Sequence, residues 1–319
     1  MPASLFTEMK GQTVLILLGP TGVGKTGASL LLAQSLKTEI ISADSMQVYR
    51  HMDIGTAKPS RKERALVRHH MIDIVEPSGY FSAGEYLETV SPRIAGLQRE
   101  GKVPLVVGGT GLYIKAMTRG IFCGPSADWG LREQLLSMEA ERSGVLYARL
   151  LQLDPVAASR IMPADTRRVV RALEVCLKTE TGISELQKDS TTPLPCEFIK
   201  IGLTRERQEL YRMIEKRVDG MVSRGLVDEV EDLLRRTPGK TALQAIGYKE
   251  IAAYLRGDYS LEEAVALIKK RTRNYAKRQF TWFRAEAGVR WLDITGISSS
   301  EEITLQLKKL LPCPERQGW

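Results

Sequence analysis

Gly19-Pro20-Thr21-Gly22-Val23-Gly24-Lys25-Thr26 matches the phosphate-binding pattern G-x-x-x-x-G-K-[ST] at every fixed position. The apolar run 14–18 before it is typical of a buried strand, and residues 27–33 after it are typical of a buried helix. A glycine-rich turn in this setting points several backbone N–H groups and the positive helix end toward one place. We therefore predict that residues 19–26 bind a diphosphate and are not a chance glycine turn. Lys25 would contact a phosphate oxygen, and the Thr26 hydroxyl would bind Mg²⁺.

The composition bounds the class of protein. The 319 residues, 43% of them hydrophobic, suffice for one large domain or two ordinary ones. A formal charge of +8 favours a polyanionic partner without deciding its kind. No signal-peptide core or bilayer-length apolar run is seen, so we expect a cytoplasmic protein with no membrane partner. The four cysteines, at 123, 176, 196 and 313, lack metal-ligand spacing and are expected to be reduced thiols.

Two further apolar runs are predicted to end beside the phosphate loop. Residues 39–44 predict a short strand that delivers Asp44 and Ser45 at its carboxyl end, the edge where ligands gather in open α/β sheets. Residues 103–107 predict a buried parallel strand that runs into a Gly-Gly turn and another helix. Thr110 in that turn is then expected at the same sheet edge as the phosphate loop.

Loops and helices fill most of the remaining chain. Residues 46–59 have no clean period and are predicted to form a loop beside the site rather than core. Residues 69–75 predict a short extended piece, and its adjacent histidines would point apart, so we expect no metal there. A helix over residues 82–100 is predicted to be interrupted or kinked near Pro92. The other predicted elements are helices at 131–142, 145–153, 167–178, 205–236, 245–256 and 261–284, and strands at 197–203 and 289–294.

The domain organisation follows from where the strand-like runs stop. They vanish over residues 122–195, which we predict to be an inserted all-helical domain that ends in a loose Ser-, Thr- and Pro-rich segment. Residues 1–121 and 196–319 are predicted to form a P-loop α/β core with C-terminal helices. Strands that alternate with helices predict a mainly parallel sheet flanked by helices on both faces.

The residues around the phosphate loop disfavour nucleotide hydrolysis. Nucleotide hydrolases hold Mg²⁺ partly through an acid at the end of an apolar strand, whereas the run 103–107 ends in Gly-Gly-Thr. No N-K-x-D guanine-reading box is present. Asp44 is the acid placed best beside the phosphate site. Its carboxylate would hold Mg²⁺ through water, act as a general base, or only cap local structure.

Seven segments in this order resemble the tRNA dimethylallyltransferase family, the isopentenyl pyrophosphate transferases that act on adenosine 37. They span most of the chain and are GPTGVGKT, ISADSMQVYRHMDIGTAKP, VVGGTGLYIKA, SADWGLRE, DTRRVVRALEV, LQAIGYKE and KKRTRNYAKRQFTWFR. Kinases and GTPases do not share this combination. The tail after residue 294 lacks the paired Cys and His of the zinc-finger extension in eukaryotic relatives, so the chain resembles the shorter bacterial form.

The resemblance implies a reaction. The phosphate loop would bind dimethylallyl diphosphate, and the allyl group would pass to N6 of adenosine 37 in the anticodon loop of tRNA. By similarity Asp44 is the base that assists the weakly nucleophilic amine, and Thr110 donates to the bridging oxygen. Lys25, Arg217 and Mg²⁺ on Thr26 would neutralise the departing diphosphate. Without the resemblance, Arg217 would be interpreted as an exposed helical arginine.

The tRNA side of the reaction requires a base to leave its stack so that N6 enters a pocket. The sequence leaves residues 269–284 open between a solvated basic helix and an RNA-backbone track. We expect the protein to act on tRNA as a monomer, with Mg²⁺ as its cofactor. The resemblance assigns tRNA contact to Asp44, Ser45, Met46, Gln47, Thr110, Arg132, Arg167, Arg168, Arg171, Gln244, Ala245, Ile246, Gly247, Tyr248 and Lys249.

Two other functions remain open from the sequence. A small-molecule kinase would use the helical insertion as a lid, with Arg167, Arg168 and Arg171 clamping a phosphoryl group. A non-catalytic RNA-binding protein would carry a relic phosphate loop. Transfer from labelled ATP, or tRNA binding without allyl transfer, would distinguish these classes from the transferase.

Overall fold

A computed structural model describes residues 13–122, 124–189 and 191–312 of the chain. Cys123 and Cys313 lie outside the described residues, whereas Cys176 and Cys196 are free thiols. Among the described helices, none combines the length and the apolar character needed to cross a membrane.

The core is a six-stranded sheet in which every described pairing is parallel. The strands are β1 Thr13–Leu18, β2 Ile40–Ala43, β3 His69–His70, β4 Leu105–Gly108, β5 Glu197–Thr204 and β6 Val289–Asp293. Their spatial order is β3-β2-β4-β1-β5-β6, and the predicted α/β fold is confirmed. Strand β1 is buried on both faces because helices cover them, which explains its unbroken apolar sequence.

The described chain forms two compact units. The first contains the sheet and runs to Ile114 and again from Pro195; the second comprises Lys115–Leu194. The second unit begins at Lys115, within the helix Gly111–Arg119, whereas the composition predicted an insertion from residue 122. The helices before and after the insertion are α1 Lys25–Leu36, α2 Arg61–Leu66, α3 Ala83–Arg99, α4 Gly111–Arg119, α10 Arg207–Ser223, α11 Leu226–Arg235, α12 Lys240–Leu243, α13 Tyr248–Leu255, α14 Leu261–Arg284 and α15 Ser300–Leu310.

The inserted unit has its own hydrophobic core, which includes Leu135, Leu150 and Leu173. Beyond α4, its described elements are helices, as the loss of strand-like runs predicts. They are α5 Trp129–Glu141, α6 Val145–Leu153, α7 Pro155–Ala158, α8 Thr166–Thr179 and α9 Ile183–Asp189.

Several predicted element boundaries were wrong. Helix α3 starts at a Ser82 capping box and continues through Pro92, so the predicted interruption is wrong, while the alternative of a kink stays a prediction. The predicted helix 205–236 is two helices, since Gly225 adopts a left-handed φ of 94° and begins α11. In the extended piece predicted over 69–75, only His69–His70 form a strand. The helix predicted from residue 245 begins at Tyr248, after Gly247 with φ of 99°.

The segment 46–59 also differs from its prediction. It contains neither helix nor regular strand, as expected of a loop, but Val48, Tyr49 and Met52 are fully buried. These side chains belong to a hydrophobic cluster with α11, α13 and α14. The segment is therefore part of the core, and its apolar residues lacked a periodic pattern because no regular element carries them.

Close packing of β2 against β4 requires a glycine at position 108. A Cβ built on Gly108 would lie 2.2 Å from the backbone oxygen of Ala43. Because the clash is with a backbone atom, movement of a side chain cannot relieve it. We expect Gly108→Ala to lower the free energy of unfolding by about 3 kcal/mol. Urea denaturation of the purified variant measures this change.

Gly96 offers the matched control for that substitution. It lies within α3, and a Cβ there would meet no atom within 4 Å. Gly96→Ala is expected to raise the free energy of unfolding by about 0.5 to 1 kcal/mol, because alanine favours a helix more than glycine does. Equal stability of the Gly108→Ala protein and the unsubstituted protein would contradict the packing argument.

Candidate active site

The carboxyl ends of three adjacent strands define the candidate site. Gly108 is in register with Leu18 of β1 on one side and with Ala43 of β2 on the other. The chain segments that follow these residues therefore leave the sheet at one level. They are the phosphate loop, the Asp44 segment and the Gly109-Thr110 turn, so Thr110 lies at the predicted edge.

The phosphate loop has the geometry of an anion site. Gly22 and Gly24 have φ values of 82° and 113°, and Gly24 is the N-cap of α1. No side chain among the described residues caps this helix start. The first N–H groups of α1 therefore have no side-chain acceptor, and together with the positive end of the helix they favour an anion.

Lys25 is held at the loop by its own backbone. Its Nζ donates to the carbonyl oxygens of Gly19 at 2.8 Å and Pro20 at 2.9 Å. Burial lowers the pKa of Lys25 to about 7; the nearby Asp44 carboxylate partly opposes the shift, and Arg217 adds to it. A bound diphosphate would replace weak carbonyl contacts with charged ones and would favour the ammonium form.

Arg217 reaches the phosphate loop from α10. Its Nη1 donates to the Thr21 hydroxyl at 3.3 Å, and its side chain is partly buried rather than exposed. Burial lowers the pKa of Arg217, the Asp44 charge raises it, and Arg224 lowers it further. The guanidinium stays protonated because its ordinary pKa is so high. Two cations and one carboxylate thus face each other at the sheet edge.

Asp44 forms a tight local turn. Its Oδ1 accepts from the backbone N–H of Met46 at 2.8 Å and of Gln47 at 3.3 Å. This is the local capping role that the sequence left open, and it occupies one carboxylate oxygen. The other oxygen has no described hydrogen bond and is the one available for accepting a proton.

Thr110 is bonded to the same segment. Its hydroxyl accepts from the backbone N–H of Ser45 at 3.0 Å and lies 3.3 Å from the Ser45 hydroxyl, while its own N–H donates to Ala43 O at 3.0 Å. The hydroxyl donates its proton to Ser45 Oγ, so a ligand oxygen would take the place of this acceptor when it binds. Thr110 and Asp44 are therefore fixed relative to each other by short contacts.

Gln47 has hydrogen-bond partners within the protein. Its Oε1 accepts from Ser42 Oγ at 3.1 Å, and its Nε2 lies 3.4 Å from Thr56 O and 3.5 Å from Ala57 O. The long amide contacts are weak, so a base edge with better geometry would compete for this donor.

The donors for Mg²⁺ are few. The described residues contain no group of three or more His, Cys, Asp or Glu side chains that could hold a metal ion. Mg²⁺ commonly binds through one or two protein oxygens together with substrate phosphates and waters. The exposed Thr26 in the first turn of α1 and the Asp44 carboxylate fit that mode of binding, which needs the donor phosphates to complete it.

Two site residues on α14 were missed by the sequence reasoning. Gln279 accepts from Thr21 N at 2.8 Å and donates to Gly109 O at 2.8 Å. The Tyr275 hydroxyl is in hydrogen-bonding contact with Thr110 and Gln279, and burial raises its pKa. Both lie in the basic segment 269–284, where the charge pattern concealed a face directed at the site.

The arginines predicted in the inserted unit fall into two groups. The Nε and Nη2 of Arg132 donate to the two oxygens of Glu174 at 2.9 and 2.8 Å, and Arg171 also donates to Glu174. Glu174 is fully buried; burial raises its pKa, but bonds from Arg132, the Asp128 amide and Arg171 outweigh this and hold it below the usual value. Arg167 and Arg168 are exposed. Arg132 and Arg171 therefore stabilise the unit, which their basic character alone did not indicate.

The segment 244–249 divides in a similar way. Gln244 and Lys249 are exposed, whereas Ala245 is buried and Tyr248 is completely so. The Tyr248 hydroxyl donates to Glu229, which also accepts three successive backbone N–H groups from Asp53 to Gly55. The tRNA contact of Ala245 and Tyr248 stays a prediction, and in this structure both side chains pack inside the protein.

The two halves of the segment 269–284 differ in their surroundings, and RNA contact by this segment stays a prediction. Its first half is paired with acids, as in Lys269–Asp219 and Arg273–Glu215. Its second half exposes Trp282, while Phe283 is buried. A depression of about 410 Å³ is lined there by Asn274, Lys277, Arg278, Thr281 and Trp282.

Comparison with known proteins agrees with the fold and with the motifs. A tRNA dimethylallyltransferase of Thermodesulfovibrio yellowstonii is 55% identical over 305 residues, covering 93% of this chain and 97% of the relative. The tRNA dimethylallyltransferase of Thermotoga maritima is 46% identical over 300 residues, covering 93% and 97%.

Two solved structures resemble the chain closely. The tRNA isopentenylpyrophosphate transferase of Bacillus halodurans aligns with a TM-score of 0.69 at 41% identity, covering 94% of this chain and 97% of that one. A eukaryotic dimethylallyltransferase acting on tRNA aligns with a TM-score of 0.76 at 30% identity, covering 96% and 82%.

The family model of the IPP transferases matches residues 47–286. Together with relatives of this identity and coverage, the match confirms the resemblance that the seven sequence segments predicted. The chain belongs to the IPP transferase family.

Proposed function

We propose that the protein transfers a dimethylallyl group from dimethylallyl diphosphate to N6 of adenosine 37 in the anticodon loop of tRNA, releasing diphosphate. The observation that carries this proposal is the convergence of a phosphate loop, Asp44 and Thr110 at one sheet edge. Family membership supports the same reaction, since relatives bear the name tRNA dimethylallyltransferase.

The acceptor needs help from a base. The lone pair of an exocyclic adenine amine is delocalised into the ring, so attack on the allyl carbon is assisted when a carboxylate takes the N6 proton. The free oxygen of Asp44 is suited to this role, because the Met46 and Gln47 amides fix the carboxylate by its other oxygen. As the N6–carbon bond forms, the carbon–oxygen bond to diphosphate breaks and the proton moves to Asp44.

The leaving group carries the developing charge. The Thr110 hydroxyl would donate to the bridging oxygen, and the α1 N–H groups, Lys25 and Arg217 would receive the departing diphosphate. Thr26, the donor phosphates and, through a water molecule, Asp44 would hold Mg²⁺, which would supply additional positive charge when bound. These groups stabilise charge that increases during the reaction, so they lower the barrier rather than only binding the donor.

We propose that tRNA is recognised by exposed groups in three segments. Met46 and Gln47, both partly exposed beside Asp44, suit contact with the target base. The exposed Arg167 and Arg168 suit phosphate contacts, which fix register without reading sequence. The depression around Lys277 and Trp282 offers cationic and stacking groups for an unpaired strand.

The proposal includes a monomer that acts in the cytoplasm. Every group proposed for the chemistry belongs to one compact unit of a single chain, so the site is complete without a second copy. Light scattering with and without tRNA tests the monomer, and cell fractionation tests the location.

The function is tested by incubating the protein with Mg²⁺, labelled dimethylallyl diphosphate and an anticodon stem-loop carrying adenosine at the target position. Label is expected in the RNA and absent when the target adenosine is replaced by guanosine. A parallel reaction with labelled ATP and small acceptors tests the kinase alternative. RNA binding with no transfer of label would favour a non-catalytic binding protein instead.

Donor affinity is expected to decrease as pH rises above about 7. The Lys25 amine of the free protein has a pKa of about 7, and diphosphate stabilises its charged form, so binding above that pH takes up a proton. The dissociation constant should increase by up to about tenfold per pH unit until the pKa of the complex is reached. Calorimetric titration between about pH 6.5 and 9 measures it.

Lys25→Met supplies the control for this pH dependence. The terminal phosphate ionises with a pKa near 6, so the donor itself gains no charge above about pH 7. The variant should bind weakly, with an affinity that hardly varies over that range. The same slope in both proteins would remove Lys25 as the titrating group.

A further inference from the structure

Gln279 connects two loops that lie far apart in the sequence. It follows Thr21 by 258 residues and Gly109 by 170, yet bonds to the backbone of both at 2.8 Å. The side chain is buried, with 6% of its surface exposed. A buried amide that satisfies two backbone groups costs little to bury, and its loss would leave a donor and an acceptor unpaired.

The chemistry of the amide suits this place. The loop presents an N–H and the turn presents a carbonyl oxygen, so the bridging group must accept on one side and donate on the other. A carboxylate would only accept, and a thioether would do neither effectively. The close fit is visible at Gly109, where an added Cβ would lie 2.2 Å from Gln279 Nε2.

Both bonded residues adjoin groups of the proposed reaction. Thr21 lies within the phosphate loop, and its hydroxyl contacts Arg217 at 3.3 Å. Gly109 immediately precedes Thr110, whose hydroxyl also contacts Tyr275 one helical turn before Gln279. The amide thus sets the separation between the diphosphate-binding loop and the donor to the bridging oxygen.

We propose that Gln279 is a positioning residue that fixes Thr110 and Arg217 relative to the phosphate loop, so that the bridging oxygen and the terminal phosphates of the donor are engaged together. The inference rests on the proposed function for its catalytic readout. A small displacement of Thr110 or Arg217 is expected to raise the free energy of the transition state more than that of bound substrate, because these groups contact charge that develops during the reaction.

The test compares the unsubstituted protein with Gln279→Met, whose side chain has a similar length but makes neither of the two hydrogen bonds. We expect kcat to fall about tenfold while the KM for tRNA stays within about twofold. In a double-mutant cycle with Thr110→Val, the two losses should be far from multiplicative, since Gln279 acts partly through Thr110. Multiplicative losses, or an unchanged kcat, would overturn the assignment.

Two further variants guard against loss of folding as an explanation. Gln279→Glu keeps the acceptor for Thr21 but turns an oxygen toward Gly109 O, so it should also lose at least about tenfold in kcat. Full activity in this variant would show that the Gly109 bond is dispensable. Gln34→Met, at an exposed position of α1, should retain full activity and thermal stability.

Inorganic diphosphate separates this inference from the proposed function. Calorimetric titration of the Gln279→Met protein should show about fivefold weaker diphosphate binding than the unsubstituted protein, independent of any allyl transfer. Absence of transfer by the unsubstituted protein would refute the proposed reaction and leave this comparison intact. Equal diphosphate affinity would refute the link between Gln279 and the phosphate loop.

Discussion

Replacing Asp44 with alanine is expected to lower turnover by about a hundredfold or more, equivalent to about 2.7 kcal/mol of transition-state stabilisation. The reason is that the N6 amine would lose the carboxylate that takes its proton during attack. The affinity for tRNA should remain within about tenfold, because the carboxylate is one contact among many in a large RNA interface. Single-turnover transfer to an anticodon stem-loop gives the rate, and filter binding gives the affinity.

The Asp44→Asn variant distinguishes two roles of Asp44, namely proton acceptor in the reaction and hydrogen-bond acceptor in the local turn. The asparagine oxygen can still accept from the Met46 and Gln47 amides, which preserves the local structure that alanine would lose. If the carboxylate is the base, the asparagine protein should be nearly as slow as the alanine protein. Turnover close to normal in the asparagine protein would assign Asp44 to the turn alone and would require another base.

The phosphate loop and the sheet were predictable because their signals are local. The spacing of residues 19–26 and the apolar runs beside it specify strand, turn and helix within some twenty residues. Parallel strands end at a common edge, so the sequence predicted Asp44 and Thr110 at one edge of the sheet, whereas the adjacency of β2 and β4 is seen only in the structure. The buried residues of 46–59 were not predictable in this way, because they pack irregularly and carry no period.

Contacts across long stretches of sequence were not predictable. Nothing near Gln279 indicates its bonds to Thr21 and Gly109, since the surrounding charge pattern is that of an exposed basic helix. Arg132 and Arg171 were expected at an RNA surface, and the structure pairs both with Glu174, which sequence periodicity alone would have placed among ordinary helix residues. A charged residue opposite arginines is recognised only when the helices that carry them are packed.

Replacing Lys25 with alanine is expected to weaken donor binding by about a hundredfold, because a charge-assisted contact to the diphosphate is lost where few other cations lie close. The substitution also removes the hydrogen bonds from Lys25 Nζ to Gly19 O and Pro20 O. Titration with dimethylallyl diphosphate measures the change, and tRNA affinity serves as the internal control. Equal donor affinity in both proteins would exclude Lys25 from the phosphate site. An equal loss of tRNA affinity would indicate that the whole site is disrupted. The groups proposed to contact tRNA lie in other segments of the chain, so loss of the Lys25 side chain alone would not affect them.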